Sequence, residues 1–98
     1  MDRDGIIATL RRHKNDLNRH GVAHAALFGS FARGEQRRES DIDILIDLDP
    51  AAELSVFDYV DLKDYIAGLF SGPVDVVNRQ GLKPHVRKPA LADAVDAF

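Results

Sequence analysis

Ninety-eight residues are read as one domain spanning 1–98, with room for one core and one site, since a chain this short buries only about 60–65% of its unfolded surface. A content of 45% apolar and 30% charged residues excludes a disordered chain, and the absence of cysteine excludes a disulfide framework, a thiolate zinc site, an iron–sulfur cluster and a cysteine nucleophile. A formal charge of −3 argues against a general nucleic-acid surface. The start carries Arg3, Arg11, Arg12, Lys14 and Arg19, so no uninterrupted leader-like apolar stretch is present. The most apolar run, 42–48, is broken by Asp43 and Asp47 and is too short to span a membrane. The expected location is the cytoplasm.

In chain order, Ile6, Ile7, Leu10 and Leu17 recur at helical spacing, which predicts a first helix ending at His20 before Gly21. Val22 to Phe28 is a short apolar run between glycines and is read as a buried strand. Gly29 to Gly34 is a tight strand-to-helix turn with about one helical turn, followed by a polar loop, 35–40. From 41 to 48, Ile42, Ile44 and Ile46 alternate with Asp43, Leu45 and Asp47, which predicts a second strand. The stripe of Leu62, Tyr65, Ile66 and Leu69 predicts a second long helix over 54–70, with Ser55 and Asp58 in capping-box positions. Val74 to Val77 is a third strand, interrupted by Asp75. The tail, 82–97, shows helical spacing at Leu82, Val86, Ala90 and Leu91, limited by Pro84 and Pro89. This order predicts an α/β fold, a small mixed β-sheet with helices packed against it.

Chemistry concentrates on the acids of two strands. Asp41 and Asp43 lie two apart, so their carboxylates leave one face of a strand and repel each other unless a cation lies between them. All-oxygen ligands suit magnesium or manganese. Asp75 joins them if its strand is a neighbour, and three such acids are what two-metal nucleotidyl transfer needs. Taken alone, Asp-x-Asp on a strand is more often a solvated edge. A calcium loop is excluded because the sixth-position glycine and terminal glutamate are missing. Gly29 and Ser30 supply the complementary half: a glycine lets backbone amides approach a phosphate, and the serine adds a hydroxyl. Arg33 sits within the same turn. Each of these alone has an ordinary structural reading, as a turn, a cap or a surface cation.

Together, Gly29-Ser30-Phe31-Ala32-Arg33-Gly34, five residues, and Ser40-Asp41-Ile42-Asp43 resemble the signature of the minimal nucleotidyltransferase branch of the DNA polymerase β-like nucleotidyltransferases. The resemblance covers nearly the whole chain. It implies the polymerase β-like fold, ATP as substrate and two Mg2+ ions. Asp41 and Asp43 would hold the metal, and Asp75 would be the third ligand or the general base. Gly29, Ser30, Arg33 and Ser40 would form the nucleotide-binding turn. It also implies an antitoxin that transfers AMP to a tyrosine of a helical HEPN toxin.

The chain is too small to hold an acceptor-binding domain as well, so either the missing wall of the site comes from another chain or the protein recognises little besides the phosphates. Two other readings stay open. One is a binding antitoxin in which catalysis is dispensable; the other is transfer to a small molecule or an RNA end. Phe57, Tyr59 and Phe70 give the second long helix apolar residues on more than one face, which is read either as core or as an interface. Arg37 and Arg38 beside the site are read as a solvated loop or as a hold for an anion. Asp47 and Asp49 are read as solvated charges. His13, His20, His24 and His85 show no metal-ligand spacing.

Overall fold

A computed structural model of the chain describes residues 2–83, 85 and 91–98. The elements are α1 (Arg3–Arg12), α2 (Lys14–Arg19), β1 (Val22–Phe28), α3 (Ser30–Arg33), β2 (Ile42–Leu48), α4 (Val56–Ala67), β3 (Val74–Asn78), a 3₁₀ turn (Arg79–Gly81) and β4 (Val95–Asp96). The strands form one mixed sheet in the order β3-β2-β1-β4. β1 runs antiparallel to β2 and β4, and β2 runs parallel to β3.

The alternation in β2 works as its side-chain period requires. Ile42, Ile44 and Ile46 are buried together with Ala25, Leu27 and Val76 against Ile6, Leu10, Leu17, Leu62 and Ile66 of the helices. Leu45, of opposite parity, is also fully buried, whereas Asp43 and Asp47 are half-buried. The parallel pair needs a crossover, which α4 supplies, packed on β3. Its start is a capping box: Asp58 N–H donates to Ser55 Oγ, and Ser55 N–H donates to Asp58 Oδ2, each at 3.1 Å.

Two features differ from the sequence expectation. The first helix is two helices, broken at His13. There the imidazole Nδ1–H donates to the Thr9 carbonyl at 2.8 Å. This is the acceptor that His13's own backbone N–H would use in a continuing helix, and that N–H turns to Leu10 O instead. The second difference lies at the end of the chain, where a helical reading was expected throughout. Residues 91–93 are helical, but Val95 and Asp96 pair with Leu27 and Ala26 as a fourth strand. Arg11 Nε fastens that end by donating to Ala97 O at 2.7 Å. Pro84, Val86, Pro89 and Ala90 lie outside the described residues.

Candidate active site

β1 ends at Phe28, and the next residue, Gly29, holds φ +76° and ψ −155°, a conformation open essentially to glycine alone. A Cβ built on Gly29 would overlap Asp43 Oδ2 and stand 3.1 Å from its Cγ. The carboxylate of Asp43 therefore lies directly over the bare α-carbon of Gly29. Phe28 and Asp43 are partners in the β1–β2 pairing, and this fixes the approach.

α3 follows as a single turn, closed by a Schellman arrangement. Glu35 N–H donates to Ser30 O at 2.9 Å, Gly34 N–H donates to Phe31 O at 3.3 Å, and Gly34 takes the left-handed conformation. This explains the second glycine of the motif. Ser40 ties the loop back on itself: its Oγ accepts Arg37 N–H at 2.8 Å, and its own N–H donates to Arg37 O. Ser40 therefore shapes the approach to Asp41. Arg37 and Arg38 form no ion pair with a described residue.

The acids come together across β2 and β3. Asp43 and Asp75 are direct partners in the parallel register, anchored by Ile42 N–H donating to Pro73 O at 2.9 Å. Asp41 immediately precedes the strand and is exposed. Burial, followed by the charges of Asp75 and Asp41, pushes the Asp43 carboxyl above the usual carboxylate range; Arg33 opposes the shift. Among the described residues, no three acidic, histidine or cysteine side chains are already gathered closely enough to share a metal, as mutual repulsion of the carboxylates would have it. The donor set nevertheless fits a hard divalent cation: three carboxylates, two of them register partners, with Asp43 held against ionisation first by burial and then by the acids whose charge a cation would offset.

The Arg33 guanidinium donates from Nε to Glu35 Oε2 at 3.1 Å and from Nη1 to Asp93 Oδ2 at 3.2 Å. Both carboxylates hold its pKa above the ordinary value. The link to Asp93 spans 60 residues of sequence, and no local signal announces it. Asp47, read as solvated, is paired with Arg79 at 3.0 Å, and Asp49 caps a turn by accepting Ala51 N–H. Tyr59, read as core or interface, is partly buried against the core, and burial and then the charge of Asp75 raise its pKa.

The profile of the nucleotidyltransferase domain matches residues 10–96. This chain belongs to the nucleotidyltransferase domain family. This nucleotidyltransferase is 36% identical to "Protein adenylyltransferase MntA" of Thermococcus cleftensis, over 92% of its own length and 90% of the relative's. Among solved structures, one titled "Structure of putative minimal nucleotidyltransferase" superposes with a TM-score of 0.78 at 34% identity, covering 97% of this chain and 95% of the other. A chain of the solved complex of a tri-AMPylated Shewanella oneidensis HEPN toxin with MNT antitoxin has a similar fold. There the TM-score is 0.64 at 17% identity, over 94% of this chain and 71% of that one.

Proposed function

We propose that this nucleotidyltransferase is an antitoxin that transfers AMP from ATP to a tyrosine hydroxyl of a HEPN-type toxin, using Mg2+ and acting in the cytoplasm as a single domain. The observation that carries this reading is the register pairing of Asp43 with Asp75 beside the Gly29–Ser30 turn. It agrees with the adenylyltransferase name of the Thermococcus relative and with the AMPylated toxin in the Shewanella complex.

Asp41, Asp43 and Asp75 would hold the metal, which when bound supplies charge neutralisation at the phosphates and lowers the pKa of the attacking hydroxyl. The chain's own residues do the rest. Gly29 lets the nucleotide phosphates approach the backbone, and Ser30 offers a hydroxyl donor. The acceptor oxygen attacks the α-phosphorus, and an O–P bond forms. The bond from the α-phosphorus to its bridging oxygen breaks, and pyrophosphate leaves with that electron pair. The hydroxyl proton passes to Asp75, which is exposed at the sheet edge and accessible from solvent.

The test is intact-mass spectrometry of a HEPN-type protein from the same genome, incubated with this chain, ATP and Mg2+. A gain of one or more AMP units is expected, lost with Asp41→Ala/Asp43→Ala. A stable complex without any mass gain would overturn the catalytic reading in favour of inhibition by binding.

A further inference from the structure

The apolar residues of α4 that face solvent form a stripe with a definite place. Val56 is 78% exposed, Phe57 82% and Val60 49%, whereas Phe70, read as core or interface, is in the core. At about 100° per residue, going round α4 from buried Leu62 gives the order Ile66, Tyr59, Lys63, Val56, Ala67, Val60, Asp64, Phe57, Asp61. The stripe therefore begins where Tyr59 borders β3, the edge strand that carries Asp75. Tyr59 packs against the core beside that strand, on which α4 lies.

The charge around the stripe restricts what covers it. α4 carries Asp58, Asp61 and Asp64, with Glu53 just before it. Its one cation, Lys63, lies over the Tyr59 ring at 5.7 Å, and Arg19 of α2 shares a surface hollow with Asp58 and Asp61, leaving Asp64 and Glu53 to set the sign of the face. A second copy docked face to face would set these acids against their own equivalents. A phosphate backbone or an anionic lipid surface would be repelled likewise. An apolar ridge flanked by Lys and Arg is complementary in both respects.

We propose that the Val56–Phe57–Val60 stripe is the docking surface for the acceptor protein, which seats a helix with an apolar face and basic flanks there and so presents its hydroxyl across the β3 edge to Asp75. This inference rests on the function proposed above and identifies which surface selects the acceptor.

The test compares Val56→Ser/Phe57→Ser and Asp61→Lys/Asp64→Lys with the unaltered chain. AMP transfer is measured to the HEPN-type protein and, separately, to N-acetyltyrosinamide at high concentration. Both variants should raise KM for the protein acceptor at least tenfold and leave the rate with N-acetyltyrosinamide and the thermal midpoint unchanged. Equal KM values in all three proteins would overturn the docking surface while leaving the proposed function standing. No transfer to the HEPN-type protein by the unaltered chain would overturn both. Sedimentation showing a dimer of the unaltered chain that Val56→Ser/Phe57→Ser dissolves would assign the stripe to a second copy and overturn the proposal.

Discussion

Gly29→Ala should cost stability in two separable ways. The backbone at Gly29 has φ +76° and ψ −155°, and holding an alanine there costs about 1–3 kcal/mol. The added methyl also overlaps Asp43 Oδ2 and sits 3.2 Å from Asp43 Cβ. Overpacking of this kind costs about 1–3 kcal/mol. The sum is a large share of the roughly 5–15 kcal/mol that stabilises a domain. At about 4–8 °C per kcal/mol it corresponds to a fall in Tm of roughly 10–50 °C. Urea unfolding followed by circular dichroism measures the loss, and a double-mutant cycle with Asp43→Ala separates its parts. In the Asp43→Ala background the overlap with the carboxylate is gone while the backbone cost and the 3.2 Å contact with Cβ remain, so the coupling should be about 1 kcal/mol or more. The same substitution should lower the AMP-transfer rate about 100-fold or more, because the carboxylate is displaced by around an ångström. A loss below about 0.5 kcal/mol, within the range of an ordinary surface change, would refute the backbone argument. An equal loss in both backgrounds would refute the contact.

Two further outcomes follow from the helices. Ser55→Ala removes the acceptor for Asp58 N–H and should cost about 1 kcal/mol, seen as a fall in Tm of about 4–8 °C with no change in the AMP-transfer rate. Tyr59 and Tyr65 are the only tyrosines, and burial first, then the charges of Asp75 and Asp16 respectively, raises the pKa of each. In an alkaline titration read at phenolate absorbance, the folded protein should therefore ionise later than the chain in urea. The unfolded chain releases these protons first, so stability should fall as pH rises from the ordinary tyrosine value through the raised one. A folded-state curve at or below that of the unfolded chain would contradict this.

The parts of the fold legible in the sequence are those dictated by local rules. The isoleucine alternation at 42, 44 and 46 placed β2 and, with it, the face of Asp43. Ser55 and Asp58 marked the start of α4, and the glycines at 29 and 34 marked a turn that proves to need both of them. What stayed hidden depends on partners remote in sequence. The break at His13 comes from a side chain competing for a backbone carbonyl, in a stretch whose apolar spacing runs on unbroken. β4 is two residues long and exists only because β1 offers a free edge. Arg33 was legible as a member of the motif, but its engagement by Asp93 was not, because that partner arrives through the tertiary fold. The division of the α4 apolar residues into core and stripe also required the packing of α4 on β3: periodicity separates faces but does not say which of two apolar faces has a neighbour.

Asp43 meets Asp75 because β2 and β3 run side by side in one register, with Ile44 opposite Val76 and Ile42 opposite Val74. Side chains alternate along a strand, so moving β3 by one place would put a valine opposite Asp43 and turn Asp75 toward the helices. Chain length is thus as much a part of the proposed centre as residue identity. A residue added to the connections on either side of α4 is absorbed by those connections, whereas one inserted between Val74 and Asp75 leaves every acid encoded and takes the centre apart. A descendant of this gene could therefore retain the whole motif and still be inert, so the count of residues from Pro73 to Asp75 bears inspection alongside the acids themselves.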